Sequence, residues 1–185
     1  MLNFYGKIPF FSNYYVNKFL RFSVKKKIKL RYSAPQIWKV ISSHSNLELF
    51  HPFCKTNEVI HWDNSHIRRD KLIYLNGLTY FRDFYHWEKN EGYKLYIGTK
   101  EGKKSKVKWK ITHHGDDSFL SIEVFPYQSS KYPLFVNYLL FYTIVKGNLK
   151  NYLLNVLRGL AWYMDNKEPV KENQFGKHKW FSKMG

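Results

Sequence analysis

Residues 132–145 read YPLFVNYLLFYTIV, and residues 146–164 continue with KGNLKNYLLNVLRGLAWYM. In the second half, apolar residues recur at spacings of three and four, which places them on one face of a helix: Leu149, Leu153, Val156, Leu160 and Tyr163. The first half is apolar on nearly every side, which predicts a helix that is covered on several sides. One helix from Pro133 to Met164 would be about 45 Å long, enough to lie across a whole small domain.

The composition predicts one folded, strongly basic domain. Hydrophobic residues make up 44% and aromatic residues 19% of 185 residues, which favours a packed core over disorder. A net charge of +17 predicts attraction to nucleic acid, an acidic lipid surface or an acidic protein, unless it reflects only a compositional bias of the genome. Cys54 is the only cysteine, which excludes an internal disulfide and a cysteine zinc site. This is compatible with a reducing cytosol, and we predict a cytoplasmic protein.

The two ends differ in composition from the middle of the chain. Residues 1–22 are rich in aromatic and basic residues, and they form either an interfacial membrane anchor or an extension packed onto the domain. Residues 166–185 are polar with late aromatics, and they are either packed back or disordered. The domain itself is predicted to span residues 23–165. No stretch reaches the roughly 18 apolar residues that a membrane-spanning helix needs, so membrane contact would be peripheral.

Strand patterns fill the region between these ends. Residues 24–30 and 105–112 alternate, and both place lysines on an outer face. Ser33-Ala34-Pro35 opens a first short helix, and Pro52 stops a second. Asn76-Gly77 predicts a hairpin between strands at 69–75 and 78–87. The predicted order is one strand, two short helices, six antiparallel strands and the long helix.

This order resembles the helix-grip fold of the START-like, or polyketide cyclase/dehydrase-like (SRPBCC), superfamily, which includes the birch-pollen-allergen type. The resemblance covers Val24 to Met164 and rests on local marks at residues 33–40, 50–53 and 74–77, and on Gly159 in the closing helix. It implies an α+β fold, with a curved seven-stranded antiparallel sheet around the long helix and an apolar cavity between them. Members bind lipids, sterols, polyketides or hormones, and a minority are enzymes.

We expect the following residues to bind the ligand: Tyr80, Arg82, Phe84, His86, Tyr93, Trp109, Leu153 and Leu157. If Arg82 faces inward, it needs a carboxylate or an anionic ligand head, such as that of a fatty acid. Alternatively, it faces outward or pairs with an acid such as Glu123. The Asn76-Gly77 turn would place Asp70 opposite Asp83, an unfavourable pair. The opposite face of that strand, with Phe81, Tyr85 and Trp87, therefore stays open as the inner one.

No residue pattern indicates a metal, a cofactor or a catalytic set. The adjacent His113 and His114 point to opposite faces of a strand, and His51 before Pro52 is interpreted as structural. Lysines between Lys100 and Lys110 form a basic hairpin that suits phosphates or anionic lipid. No nucleic-acid-binding motif accompanies it, so we do not favour nucleic acid as a partner.

The sequence thus favours a non-catalytic carrier or sensor of a hydrophobic small molecule, at an anionic membrane surface in one version. One alternative is a cyclase or dehydratase for an apolar substrate, with His86, Tyr80 or Glu123 as acid or base near Arg82. The other is a module that binds anionic lipid or nucleic acid through its basic surface.

Overall fold

The computed structural model describes residues 22–63, 68–115, 117–129 and 131–183. The predicted N-terminal extension therefore lies outside the described residues, except for Phe22. The strands are β1 (Val24–Leu30), β2 (Cys54–Trp62), β3 (Arg68–Tyr74), β4 (Thr79–Glu88), β5 (Gly92–Gly98), β6 (Ser105–His114) and β7 (Asp117–Phe125). The helices are α1 (Ala34–Ile41), α2 (Leu47–Phe50), α3 (Leu134–Leu140) and α4 (Lys146–Asn166), with a π-helical turn (Phe141–Val145) between α3 and α4.

The strands form one seven-stranded antiparallel sheet in the order β1-β7-β6-β5-β4-β3-β2. The first strand lies beside the last, with Val24 opposite Val124. Helix α4 packs against β1 and α2. The architecture is the predicted α+β helix-grip fold, with two short helices after the first strand and a long helix closing the sheet.

Alternation along the strands decides which face is buried. In β6, Val107, Trp109 and Ile111 are buried, whereas Lys106 and Lys110 are exposed. β1 follows the same rule, with its lysines at 25, 27 and 29 exposed. Burying several ammonium groups without partners would be strongly unfavourable. The lysine positions therefore predicted correctly which face of each of these strands is exposed.

The register of the β3–β4 hairpin differs from the prediction by one residue. Asp70 lies opposite Arg82, and Arg69 lies opposite Asp83. The expected pairing of Asp70 with Asp83 is therefore wrong, and each acid instead faces a cation across the strands. Cross-strand pairs of opposite charge stabilise a hairpin, whereas like charges would destabilise it.

The length of the turn explains this shift. The connection has three residues, Leu75 to Gly77, and the Tyr74 N–H donates to the Leu78 carbonyl at 2.9 Å. Gly77 has φ of +86°, a left-handed conformation that glycine adopts without strain. A three-residue loop with such a residue is the next most common hairpin connection after the two-residue one.

The long helix starts with an exposed portion. It runs from Leu134 to Asn166, but no residue of α3 is buried, and Phe135 is 72% exposed. The prediction that the first half is covered on several sides is wrong. The π-helical turn follows, and its Phe141 is buried against the ring of Phe22, with the ring centroids 5.2 Å apart. From there on, the apolar stripe of α4 faces the core.

The segment that follows α4 packs back onto the domain. Lys167 ends the helix in a left-handed conformation. The Val170 N–H then donates to the Leu49 carbonyl at 3.0 Å. Further on, the ring of Phe181 stacks on that of Tyr74, with centroids 4.2 Å apart. Of the two alternatives for residues 166–185, packing holds for the described part, up to residue 183.

Candidate ligand cavity

A cavity of about 260 Å³ lies between the sheet and α4. Its wall is mainly apolar, and side chains from β5, β6, β7 and α4 supply most of it: Leu95, Val107, Trp109, Ile122, Leu149 and Leu153. A concave, mostly apolar space with a few converging polar groups is the usual form of a small-molecule site. The fold therefore contains the space that the sheet-and-helix arrangement implied.

Four of the eight predicted ligand-binding residues line this cavity: Tyr80, Arg82, Trp109 and Leu153. Phe84, Tyr93 and Leu157 are buried in the core beside it and do not contribute to its wall. Since β4 turns Tyr80 and Arg82 to the cavity and buries Phe84, its inner face is the first of the two faces that the sequence left open.

His86 lies outside the cavity, on the exposed surface, where its Nε2 is 3.3 Å from an Oε2 of Glu88. A bulge explains this difference from the prediction. Phe84 lies opposite Leu95, but His86 lies opposite Lys94, so the residue between them has no partner in β5. One extra residue reverses the alternation of the strand beyond it. Trp87 takes the inward position, and its ring stacks on that of Tyr93 with centroids 5.2 Å apart.

Arg82 is bound within the protein by Asp70, not by Glu123. The Arg82 Nε donates to Asp70 Oδ1 at 2.7 Å, and Nη2 donates to the second carboxylate oxygen. Nη2 also donates to the Oδ1 atoms of Asn57 and Asn46, at 3.2 and 3.4 Å. Burial acts to lower the pKa of Arg82, but the charge of Asp70 and its hydrogen bonds together outweigh burial and hold that pKa above its ordinary value.

A second polar group lies in the same wall and was missed from the sequence. His51 Nε2 is 2.8 Å from the Tyr152 hydroxyl, which is 3.2 Å from the Tyr74 hydroxyl. The Phe53 N–H donates to His51 Nδ1 at 3.2 Å. The three residues come from the loop after α2, from β3 and from α4, so no local pattern joins them. The signals available were the Phe-His-Pro-Phe motif and a tyrosine beside the apolar stripe of the long helix.

These three groups are neutral at neutral pH. Burial lowers the pKa of His51 to about 3, and the nearby positive charge of Arg82 acts in the same direction. Burial raises the pKa of Tyr74 and of Tyr152 well above the ordinary value of a phenol. The polar part of the cavity wall therefore offers hydrogen bonds without net charge.

The segment after α4 completes the wall. Trp180 and Phe181 both line the cavity, and the neighbouring His178 is buried, with its Nε2 3.0 Å from the Asn148 carbonyl oxygen. Phe181 also lies against Tyr152, with ring centroids 4.8 Å apart. The sequence left open whether this segment packs back onto the domain.

Within the described ranges, no group of three or more His, Cys, Asp or Glu side chains is placed to hold a metal ion. In the same part of the chain, no helix is both long and apolar enough to cross a bilayer.

Comparison with known proteins gives structural relatives only. No protein-family model and no curated protein sequence matches the chain. A START superfamily protein from Mycobacterium smegmatis aligns with a TM-score of 0.61 at 15% identity, over 78% of this chain and 98% of that one. A protein from Thermus thermophilus aligns with a TM-score of 0.62 at 12% identity, over 78% and 98%.

Two further structures have the same fold. Ara h 8.0201 aligns with a TM-score of 0.55 at 12% identity, over 77% of this chain and 96% of that one. DynU16, a protein of the dynemicin biosynthetic locus, aligns with a TM-score of 0.60 at 13% identity over 80% of this chain. The chain spans about half of DynU16, 49% of its length. Together with the strand order and the closing helix, these similarities show that the chain has the START-like helix-grip fold.

Proposed function

We propose that this protein binds a hydrophobic small molecule in the cavity between the sheet and α4, as a carrier or sensor without catalysis. The observation that carries the proposal is the mainly apolar cavity of about 260 Å³, walled by sheet, helix and the segment after the helix. Transfer of apolar surface from water into such a space is favourable by roughly 25 cal/mol per Å². A fold shared with a START superfamily protein supports the same function.

Displacement of an apolar fluorescent probe tests this proposal. Leu153, which is buried and lines the cavity, is changed to tryptophan, so that the larger side chain occupies ligand space. We expect at least a tenfold loss of probe affinity. The matched control is Leu157→Met, at a buried position of α4 outside the wall, and it should keep the wild-type affinity.

Native mass spectrometry of the purified protein supplies a second readout. An apolar molecule that co-purifies with the wild type and is lost in Leu153→Trp supports the proposal. Circular dichroism confirms that both variants are folded. No co-purifying molecule, together with no probe binding to the wild type, would refute it.

We further propose that the protein meets an anionic membrane surface through α3 and the π-helical turn. Seven large apolar side chains are exposed there: Leu134, Phe135, Tyr138, Leu139, Leu140, Tyr142 and Ile144. Lysines flank this apolar surface, among them Lys131 and Lys146, as in helices that lie in the headgroup region. Val145, the last residue of the turn, lines the cavity, so the exposed apolar stretch ends at a residue of the ligand site.

Co-sedimentation with liposomes that contain anionic lipid tests this contact. We expect Phe135→Glu to reduce binding strongly, because an ionised carboxylate is costly to place in the acyl region. The control Asn151→Glu makes the same charge change at an exposed position of α4 and should bind nearly as the wild type. Equal loss in both variants would mean that only net charge matters, and would refute docking through α3.

The enzyme alternative has less support from the geometry. It named three acid–base candidates near Arg82. His86 is exposed on the surface, and Glu123 accepts a hydrogen bond from Ser23 Oγ at 2.9 Å. Only Tyr80 lines the cavity.

A further inference from the structure

The polar part of the cavity wall has a defined arrangement of protons. Because the Phe53 N–H donates to His51 Nδ1, the neutral imidazole carries its proton on Nε2. That Nε2–H donates to the Tyr152 hydroxyl oxygen. The backbone amide of Phe53 thus fixes the direction of the hydrogen bond between His51 and Tyr152.

The two phenols then hold two hydroxyl protons. One of these protons makes the Tyr152–Tyr74 hydrogen bond, whichever phenol donates it. The other has no acceptor among the side chains and carbonyls of the described residues. A buried hydroxyl gains about 1 kcal/mol from a hydrogen bond and is penalised when it lacks one. The Tyr74–Tyr152 pair therefore presents one donor to whatever occupies the cavity.

The rings that carry this donor are held in place. Phe181 stacks on Tyr74, and Tyr80 meets Tyr74 edge-on with centroids 5.5 Å apart. The ring of Phe53 stacks on that of Tyr152 at 6.0 Å. A donor fixed before the ligand arrives loses little entropy when it binds.

The described part of the same wall has no free positive charge. Among the described residues that line the cavity, Arg82 is the only one that is charged at neutral pH, and Asp70 neutralises it. An anionic ligand head would give up its hydration here without gaining a counter-charge. This argues against the fatty-acid anchor that the sequence suggested for Arg82.

Resting on the proposed function, we propose that the ligand is a neutral, oxygenated apolar molecule, held by one hydrogen bond from the Tyr74–Tyr152 pair to its oxygen. A ketone, an ester and an alcohol all offer such an acceptor. A fatty-acid anion and a plain hydrocarbon are poor ligands, the first because of its charge and the second because it leaves the hydroxyl unpaired.

Three test ligands with the same ten-carbon chain separate these cases: methyl decanoate, decanoate and decane. Each is used to displace the fluorescent probe from the wild-type protein. We expect the ester to bind about fivefold tighter than the alkane, the effect of one neutral hydrogen bond. The carboxylate should bind at least tenfold more weakly than the ester. A carboxylate that binds as tightly as the ester would overturn the inference.

The carbonyl stretch of the bound ester reports the hydrogen bond directly. In the wild type, we expect the infrared band to shift to lower frequency than for the ester in alkane solvent. The double variant Tyr74→Phe/Tyr152→Phe should lose the shift and the advantage over decane. Tyr85→Phe, which removes an exposed hydroxyl of β4 outside the cavity wall, should keep both.

The outcomes also distinguish this inference from the proposed function. If no probe binds the wild type, the proposed function itself fails. If ester, carboxylate and alkane bind equally, the cavity is a hydrophobic site and the inference about its polar end is wrong. An unshifted carbonyl band in the wild type has the same meaning, and it does not depend on any variant being folded.

Discussion

At the scale of single residues, Gly159 shows how closely α4 approaches α2. A Cβ at this position would lie 2.0 Å from the carbonyl oxygen of Phe50, a backbone atom that no side-chain rotation can move away. Gly147, in the first turn of the same helix, has open space around its Cβ position. Two glycines of one helix therefore differ in what a side chain would meet.

We predict that Gly159→Ala destabilises the protein by about 2 kcal/mol, in the range of overpacked cores. Gly147→Ala should stabilise it by about 1 kcal/mol, because alanine is the better helix former. Urea denaturation followed by circular dichroism measures both. Similar midpoints for the two variants would mean that α4 and α2 are not in backbone contact.

The Arg82–Asp70 pair gives a second residue-scale prediction. Both side chains are almost fully buried, with 4% and 0% exposed, so removal of one leaves the other buried and unpaired. We expect Arg82→Met to lower the free energy of unfolding by about 3–5 kcal/mol. The double variant Arg82→Met/Asp70→Leu should recover much of that loss. Additive losses in the double-mutant cycle would show that the two residues do not interact.

At the scale of elements, single inserted residues account for two of the predictions that failed. The three-residue turn at Leu75 to Gly77 moved the β3–β4 register by one. The bulge after Phe84 sent His86 outward and Trp87 inward. Alternation predicts faces well while it continues unbroken, as in β6, but it carries no signal for where a residue is inserted.

The packed segment after α4 supplies the element-scale prediction. Phe181 is buried between Tyr74 and Tyr152, and it also stacks on His178. We expect Phe181→Ala to lower the free energy of unfolding by about 3 kcal/mol, as for other buried phenylalanines. Phe175→Ala, in the same segment but only partly buried, should have a smaller effect. Chemical denaturation of both variants decides whether the segment is part of the cooperative unit.

At the scale of the whole molecule, the order of the elements along the chain, including the closing helix, was predictable, because each element had a clear local pattern. The pairing of β1 with β7 joins residues about a hundred positions apart, so it came only from the resemblance to a known fold. The polar part of the cavity wall built by His51, Tyr74 and Tyr152 was not predictable. These three residues lie close together in space, but no spacing in the sequence reveals that they do.

The stability of the molecule should fall as the pH falls from about 7 to 4. The folded pKa of His51 is about 3, below its ordinary 6.5, so the unfolded chain binds the proton first. The stabilisation that comes from a neutral His51 is complete above the unfolded pKa. It is lost as the pH falls, because protonation favours the unfolded chain, and the loss is on the order of 3 kcal/mol in this window. His178, whose pKa burial also lowers, acts with the same sign.

Urea midpoints at a series of pH values test this expectation. His51→Gln should flatten the dependence, whereas His44→Gln, at an exposed position, should leave it unchanged. A wild-type midpoint that stays constant from pH 7 to about 4 would mean that His51 is not held neutral in the fold.

Trp109 and Trp180 stand on different elements of the cavity wall. Indole emission responds to its surroundings, so the protein contains its own optical reporters of occupancy. A brominated apolar compound that enters the space will quench both, with no label attached. The protein has six tryptophans, so each of these two is replaced by phenylalanine in turn, and the emission that the replacement removes shows how strongly bromine quenches that indole and therefore how close the two lie.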